Sequence, residues 1–376
     1  MNFEFSEEQT MIRESVSRFL REKYDFETRQ SIINSDEGWS REIWAQFAQM
    51  GLMGAAFPEE YDGFGGSAAD MLVLMEEFGT ALVVEPILPT VILCGQILRQ
   101  TGGDHAKEII PEIISGEMIM GFGYAEPRSR YCLHHVETTA KKDGDEYILS
   151  GRKAVVLAAP IANKIIISAR TSGKTRDQDG ISLFLIDRDT AGLSVEGYPT
   201  INGHLAGEVH LDNVRVKSSS LLGDEGKAFP VIEQTIDNAI IATSAEAIGV
   251  CKKMSALTNE YARQREQFGV PISKFQVLQH NMVDMFIHTE EMVSMAYMAV
   301  MKSDTPGSNT KTAASAAKVQ LGKSCKFVGE TAVQIHGGMG ITEEMAIGHY
   351  FMHATMLDSL FGNSDFHLKR YQDLTT

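Results

Sequence analysis

Residues 261–276 read YARQREQFGVPISKFQ, and residues 334–340 read QIHGGMG. In the first stretch a helical pattern stops at Gly269, and a second one begins near Gln276. Arg265, near this helix end, is either a partner of the helix dipole or a guanidinium fork for a pyrophosphate. The glycines of the second stretch are either an ordinary helix stop or a place where a ligand approaches bare backbone.

Other side chains in these two stretches have a structural and a functional interpretation. Phe268 would offer a face to a flat ring system, and Gln276 would offer an amide handle. His336 is interpreted as a structural histidine in preference to a ligand or a base. Neither stretch is specific when it is considered alone.

Helical periodicity continues on both sides of the quoted stretches. After a junction at Gly223–Gly226 it predicts helices to about residue 263, over 276–302 and over 310–336. Helices of this length, pairing antiparallel, favour a four-helix bundle. Near the N-terminus, Ser6 with Gln9 fits a capping box, which predicts that a helix begins there.

The region from about residue 119 to residue 222 has a different texture. Short apolar runs separated by turn signals predict strands at 136–140, 147–149, 164–168 and 181–186. Strands without interleaved helices predict a compact antiparallel β domain. The sequence therefore predicts an α+β fold with an N-terminal α-helical domain (1–118), a central antiparallel β domain (119–222) and a C-terminal four-helix bundle (223–376).

Composition excludes some classes of function. The net charge of -16 disfavours nucleic acid and anionic membrane surfaces as partners. The sequence contains no run of eighteen apolar residues, so no membrane span is expected. The first residues are acidic and include no apolar segment, which predicts a cytoplasmic protein. The four cysteines lack CxxC spacing, so we expect reduced core thiols and no metal site.

In their order and spacing, these segments resemble the acyl-CoA dehydrogenase family over essentially the whole chain. The resemblance is carried by the two stretches quoted first, together with EEQ (7–9), PEEYDGFGG (58–66), AEP (125–127), SGRK (150–153) and LLGDEG (221–226). The family fold is an N-terminal helical domain, a central β domain and a C-terminal four-helix bundle, which agrees with the division drawn above.

The resemblance implies an FAD-dependent oxidoreductase of lipid metabolism that forms tetramers. Its implied reaction is the α,β-dehydrogenation of an acyl-CoA thioester, with electrons passed on to an electron-transferring flavoprotein. It also implies that FAD lies at a subunit interface. The residues it implies for FAD binding are Arg265, Gln267, Phe268, Ile272, Phe275, Gln276, Gln334, Gly337, Gly338, Tyr124, Ala125 and Asn363.

The sequence departs from the family at the catalytic base. The family's glutamate falls on Phe361 or, with a shift of one residue, on Gly362, and neither side chain can accept a proton. An alternative base position known in the family falls on Ala239, and the adjacent family arginine falls on Ile240. Beside the flavin ring, the family's tryptophan and threonine are replaced by Val155 and Leu157.

Several carboxylates are candidates for the missing base. Asp365 and Asp237 are the catalytic candidates, and Asp358 and Glu246 are weaker ones. The alternative for Asp358 and Asp365 is an exposed loop aspartate, and the alternative for Glu246 is a structural hydrogen-bonded role. Three hypotheses follow: a dehydrogenase with an unusual base, a base-deficient partner subunit, or a flavoprotein with other chemistry such as monooxygenation or nitroalkane oxidation. The second hypothesis corresponds to an α2β2 assembly, and the sequence resembles the small subunit of pimeloyl-CoA dehydrogenase-type enzymes. A homotetramer is the alternative assembly.

Overall fold

The structure is a computed structural model that describes residues 6–65, 67–305 and 309–376. The α-helices of the described residues are α1 (Glu7–Lys23), α2 (Phe26–Ile33), α3 (Arg41–Gln49), α4 (Ala68–Ala81), α5 (Gly95–Thr101), α6 (Gly103–Ile114), α7 (Phe229–Gln264), α8 (Gln276–Ser303), α9 (Thr310–His336), α10 (Ala346–Ser359) and α11 (Ser364–Thr375). A π-helix over Leu88–Cys94 leads into α5. The strands are β1 (Met120–Gly123), β2 (Thr139–Asp143), β3 (Glu146–Leu157), β4 (Lys164–Arg170), β5 (Ile181–Asp187), β6 (Leu193–Pro199), β7 (Leu205–Lys217), β8 (Leu221–Leu222), β9 (Glu266–Gln267) and β10 (Val270–Pro271).

These elements confirm the predicted fold class. Helices precede a central β sheet, and long helices follow it. The predicted capping box at α1 is present, because Ser6 Oγ accepts from the Gln9 N–H and the Gln9 side chain accepts from the Ser6 N–H. No helix of the described ranges is long and apolar enough to cross a membrane. The domain boundaries after residues 118 and 222 remain predictions.

One strand prediction is wrong. Residues 136–138 form a loop, and β2 begins only at Thr139. The physical reason is the carboxylate of Glu126, which accepts hydrogen bonds from the backbone N–H groups of Glu137 and Thr138. These two N–H groups are thereby withdrawn from the sheet. Gly66, the last residue of the predicted loop at 58–66, lies outside the described residues.

The chain divides by packing into two compact units. The sheet unit contains residues 33–66 and 84–239, and the helical unit contains residues 1–32, 67–83 and 240–376. In the sheet unit the strand order is β6-β7-β3-β2-β4-β5-β8. Neighbouring strands are antiparallel, except that β1 runs parallel to β4 and a single parallel pair joins β2 to β4. Its core is apolar and includes Tyr147, Ile165, Phe184 and Val209.

The helical unit is held together by close helix crossings. A Cβ atom at Gly79 of α4 would lie 2.0 Å from the backbone oxygen of Glu246 on α7. A Cβ atom at Gly249 of α7 would lie 1.9 Å from the backbone oxygen of Glu76 on α4. Both glycines therefore let the two helix backbones touch, because any larger side chain would force them apart.

The cysteines are reduced thiols in this structure. Cys251 of α7 and Cys325 of α9 are buried in the helical unit with their Sγ atoms 3.9 Å apart. Cys94 is buried in the sheet unit, and Cys132 is only partly buried. The adjacent Cys325 thiol and burial raise the pKa of Cys251, which keeps it protonated.

Candidate functional site

A short hairpin follows α7 and carries the first predicted binding residues. The Arg265 N–H donates to the carbonyl oxygen of Tyr261 at 2.8 Å, which closes the helix. Strands β9 and β10 then pair, with Phe268 and Gly269 at the turn. Both turn residues have positive φ, 56° and 80°, as a tight two-residue hairpin requires.

Phe268 is presented to solvent at a cost in backbone energy. A non-glycine residue in the left-handed region costs about 1–2 kcal/mol, and the Phe268 side chain is 91% exposed. Its ring meets the ring of Phe275 edge to face at 6.2 Å, and Phe275 in turn packs on the core of the helical unit. Ile272 is buried and anchors the hairpin. An aromatic side chain held outward in this way is available to a ligand or to another chain.

A bare backbone surface follows α9. Gly337 has φ 61° and ψ -140°, a conformation that only glycine adopts without strain. A Cβ atom at Gly337 or Gly338 would meet nothing within 4 Å, whereas one at Gly340 would lie 2.8 Å from the carbonyl oxygen of Val333. The first two glycines therefore expose open backbone, and the third serves close packing.

Tyr261 and His336 bring the two motif segments together. Their rings stack at 4.3 Å, and the Tyr261 hydroxyl donates to the His336 carbonyl oxygen at 3.3 Å. The His336 Nδ1 atom lies 2.8 Å from the Ala332 carbonyl oxygen, and burial lowers the pKa of the imidazole. A neutral His336 therefore donates from Nδ1 and has a structural role.

The surface around this stacked pair fits the nucleotide end of a dinucleotide. Arg265, Gln267, Gln276 and Gln334 are all exposed, and no residue in the described ranges forms an ion pair with Arg265. A free guanidinium can bind a pyrophosphate, exposed amides can bind polar edges, and open glycine backbone allows close approach. The residues present thus fit the cofactor that the resemblance implies.

The loop where the family carries its base has no carboxylate at either candidate position. Phe361 has φ 62° and a buried side chain. Gly362 has φ 113°, and a Cβ atom there would lie 2.6 Å from Phe366 and 2.7 Å from the Nε2 atom of His367. The Phe361 carbonyl oxygen accepts from His367 Nε2 at 3.0 Å. Neither position offers a proton acceptor, and Gly362 has no room for a larger side chain.

Polar groups beneath the loop fix its conformation. Asp358 accepts from the N–H and the hydroxyl of Ser364, at 3.2 and 2.8 Å. The fully buried ammonium of Lys318 donates to the Leu357 carbonyl oxygen, and burial lowers its pKa to about 8. Asp358 is therefore a partly buried residue near the end of α10 that stabilises the loop, and the alternative of an exposed loop aspartate is wrong.

Asn363 and Asp365 lie at the start of α11. The Asn363 side-chain oxygen accepts from the Phe366 N–H at 3.0 Å, so Asn363 is the N-cap of the helix. Asp365 is exposed in the first helical turn, where a negative charge stabilises the helix dipole. The capping role of Asn363 was not predicted from the sequence.

The remaining carboxylate candidates are buried. Asp237 is 2% exposed on the part of α7 that belongs to the sheet unit. The Oε1 atom of Glu246 is hydrogen-bonded to the Nε2 atom of His353 at 2.7 Å, and both side chains are buried in the helical unit. The Glu246–His353 pair joins α7 to α10, which gives Glu246 a structural role.

Tyr124 and Ala125 follow the end of β1 in the sheet unit. Both residues are partly buried. Burial, and to a smaller extent the neighbouring Tyr131, raises the pKa of the Tyr124 hydroxyl, which therefore stays protonated. The next residue, Glu126, is buried and pairs with Lys153 at 2.7 Å. Glu126 is therefore a buried ion-pair residue and not a residue of a surface loop.

Strand β3 has a bulge at the position where the family has its tryptophan. Its register with β7 shifts between Lys153 and Val156. Val155 within the bulge has φ 52° and is 52% exposed, although β-branched residues rarely adopt this conformation. The Glu208 side chain accepts from the Val155 N–H at 3.3 Å and from the Tyr198 hydroxyl at 2.9 Å.

Sequence reasoning missed the buried lysines Lys153 and Lys318 and the buried histidines His353 and His367. Lys153 has the strand spacing of the buried Tyr147 and Leu149, which places it on the inner face. Lys318 is four residues after Ala314 and three before Leu321, so helical spacing places it on the same buried face of α9 as these two residues. These periodicities are signals for burial that a single sequence contains.

Comparison with known proteins gives consistent matches along the chain. Three family models match: "Acyl-CoA dehydrogenase, N-terminal domain" over residues 6–117, "middle domain" over 121–214 and "C-terminal domain" over 226–373. A probable acyl-CoA dehydrogenase, YngJ of Bacillus subtilis, is 31% identical over 97% of both chains. The structure of butyryl-CoA dehydrogenase from Megasphaera elsdenii covers 100% of this chain and 99% of its own, with 26% identity and a TM-score of 0.92. A structure of the Tcur3481–Tcur3483 steroid ACAD covers 98% of this chain and 97% of its own, with 28% identity and a TM-score of 0.88.

Proposed function

This chain belongs to the acyl-CoA dehydrogenase family of FAD-dependent oxidoreductases, which act on the CH–CH bond of acyl-CoA thioesters, and we propose that it is a subunit that holds FAD but has no base of its own. The complete enzyme would contain a second chain of the same family that carries a glutamate at the loop position. The substrate of the assembly is an acyl-CoA thioester, and an electron-transferring flavoprotein accepts the electrons.

FAD binding is supported by the residues at the ends of α7 and α9. Arg265 would bind the pyrophosphate, Phe268 would pack on a flat ring, and the backbone at Gly337 and Gly338 would allow close approach of the nucleotide. These groups point into solvent in the single chain, so an FAD held there would be shared with another subunit. Oligomerisation and cofactor binding would then be coupled.

The missing base is the observation that carries the proposal. Dehydrogenation requires removal of the α-proton, and bound FAD supplies the acceptor for the β-hydride. In this chain the loop at residues 360–363 has an apolar side chain and a glycine without room for a Cβ atom. His367, below the loop, is turned toward the Phe361 carbonyl oxygen, and burial lowers its pKa to about 4. The chain's own residues at the loop therefore hold the backbone and do not transfer a proton.

A two-chain assembly has a parallel among the relatives. The steroid ACAD described above is formed by two differently named chains, and this chain matches it at 28% identity over nearly its whole length. The base at the loop is lost while the nucleotide-binding segments are retained, which fits an α2β2 enzyme better than a homotetramer. A homotetramer would have to contain four sites without a base at this position.

The test compares the chain alone with the complex purified from its source. Each preparation is saturated with FAD, made anaerobic and mixed with butyryl-CoA and with longer acyl-CoA thioesters. We expect the chain alone to bind FAD without bleaching of the visible flavin absorbance. We expect the native complex to bleach and to contain a second family member with a glutamate in the loop. Bleaching by a homo-oligomer of this chain alone would refute the proposal.

A self-sufficient dehydrogenase is the second candidate, and the position of Asp365 favours it. Asp365 lies two residues after the loop and is exposed, and Asp237 is the other carboxylate candidate. If the chain alone bleaches its flavin, Asp365→Asn and Asp237→Asn identify the base, because only loss of the base abolishes bleaching while FAD binding is retained. Lys369→Met, at another exposed position of α11, is a matched control for a change of charge on that helix.

A further inference from the structure

We propose that Lys153 is a positioning residue that, with Glu126 and Ser168, fixes the two backbone segments of the sheet unit expected to face the flavin ring. These segments are residues 124–126, after β1, and residues 154–157, in the bulge of β3. The inference rests on the proposed binding of FAD, and it assigns a role to a buried group that the proposed reaction does not use.

The centre of this arrangement is a buried ion pair. The Lys153 side chain is fully buried, and its Nζ atom donates to Glu126 Oε1 at 2.7 Å and to the Ser168 hydroxyl at 3.0 Å. Glu126 also accepts from the backbone N–H groups of Glu137 at 2.6 Å and Thr138 at 3.0 Å. One carboxylate therefore connects β3 to the loop before β2.

The same group of residues reaches β1. The Ser168 hydroxyl on β4 donates to the Gly123 carbonyl oxygen at 3.4 Å, at the last residue of β1. A Cβ atom at Gly123 would lie 3.0 Å from the Lys153 side chain, so the lysine stem packs directly on the β1 backbone. The Ala154 N–H donates to the Ala125 carbonyl oxygen at 2.9 Å. The two segments are thus hydrogen-bonded to each other beside the ion pair.

Backbone geometry matters here because the side chains bring few polar groups. Ala125, Val155 and Leu157 have none, and Val155 and Leu157 stand where the family has a tryptophan and a threonine. Any hydrogen bond from these three positions to the polar edge of a flavin must therefore come from backbone N–H or C=O groups. The orientation of those groups depends on the bulge that begins at Lys153.

Electrostatics favour a charged pair at this position. Burial alone would raise the pKa of Glu126, but Lys153 and the hydrogen bonds of Thr138 and Glu137 outweigh it and lower the pKa. Burial lowers the pKa of Lys153 to about 8, although Glu126 opposes this effect. The positive charge of Arg170 lowers the pKa of Lys153 further. At neutral pH the pair is ionised, and removing one partner would leave a buried charge unpaired.

The experiment therefore removes the pair as a unit. The double variant Glu126→Gln/Lys153→Met replaces both charges by side chains of similar length, and Ser168→Ala removes only the bridging hydroxyl. The control is Lys164→Met on β4, whose ammonium pairs with Asp187 at an exposed position of the same sheet. Amide hydrogen exchange, flavin absorption and flavin reduction potential are measured in the assembled protein, together with the thermal unfolding midpoint.

We expect faster amide exchange at residues 124–126 and 154–157 in the double variant and in Ser168→Ala, but not in Lys164→Met. We also expect a change of at least tenfold in the relative affinity for reduced and oxidised FAD, which is about 30 mV for a two-electron couple. A lower unfolding midpoint with unchanged exchange, spectrum and potential would overturn the inference, because the pair would then be only part of the core. Amide exchange tests the role of the ion pair even if no flavin binds. Absence of flavin binding would count against the proposed function and not against this inference. If the double variant does not fold, Ser168→Ala alone decides the outcome.

Discussion

Replacing Arg265 by alanine should weaken FAD binding about 30-fold. A hydrogen bond to a charged group contributes about 1.5–3 kcal/mol, and a loss of about 2 kcal/mol corresponds to about 30-fold in Kd. The Arg265 side chain is exposed in the protomer and has no ion-pair partner among the described residues, so its removal leaves no buried charge behind. The free energy of unfolding should therefore stay within about 0.5 kcal/mol of the value for the parent protein.

Arg263→Ala is the matched control. Arg263 is exposed in the last turn of α7, two residues before Arg265, but it precedes the hairpin. Both variants lose one positive charge from the same helix end, so their difference isolates the contact with the phosphates. FAD titration of the assembled apoprotein, followed by flavin fluorescence at low and at high salt, measures both affinities. The difference should shrink at high salt because exposed charges are screened. Equal affinities for the two variants would refute the assignment of Arg265.

Two further predictions concern stability. Burial lowers the pKa of His367 to about 4, whereas an unfolded histidine has a pKa of about 6.5. Between these two pH values the unfolded state therefore binds more protons than the folded state. As the pH drops through this range, the free energy of unfolding should fall by up to about 3 kcal/mol. The glutamine of His367→Gln can still donate to the Phe361 carbonyl oxygen, and this variant should show a weaker dependence of stability on pH. Denaturant unfolding at pH 7 and pH 5 measures the change in the free energy of unfolding for each protein, and an equal change in both proteins would contradict the prediction. Gly249→Ala places a Cβ atom 1.9 Å from the Glu76 carbonyl oxygen and should destabilise the protein by about 2–3 kcal/mol. Gly338→Ala, where a Cβ atom meets nothing within 4 Å, should unfold at the parent midpoint, and equal losses in both variants would contradict the close helix crossing.

The elements set by local chemistry were predictable from the sequence. The predicted helix over 310–336 is observed as Thr310–His336, because the Asn309 side chain caps its start and Gly337 ends it. The helix over 276–302 extends by one residue, to Ser303. Both ends are determined by residues within a turn of the boundary, and such signals are visible in a single sequence.

Features that depend on distant residues were not predictable. The strand expected at 136–140 begins only at Thr139, because the carboxylate of Glu126, ten residues away from Val136, binds the N–H groups of Glu137 and Thr138. The π-helix at Leu88–Cys94 has no period that distinguishes it from an α-helix over so short a length. The contact between Tyr261 and His336 joins residues that are far apart in the sequence, and only packing reveals it.

For the candidate site, residue types were predictable but their freedom to act was not. The sequence identified Arg265, Phe268 and Gly337 by motif, and their exposure became clear only in the fold. It also showed that Phe361 and Gly362 are not carboxylates. The fold adds a steric reason: Gly362 cannot accommodate a larger side chain without displacing His367. Spacing alone carries no information on such a collision.

The neighbouring thiols of Cys251 and Cys325 can report on how often the helical unit opens. A trivalent arsenical that bridges two sulfurs can react only while α7 and α9 are separated, since both thiols are otherwise shielded. Cys132, which is partly accessible, would be alkylated by a monofunctional reagent at once, and the shielded Cys94 would be alkylated only as the sheet unit opens. Labelling rates measured by mass spectrometry would therefore give the opening rate of the helical unit and that of the sheet unit separately, in the presence and absence of nucleotide.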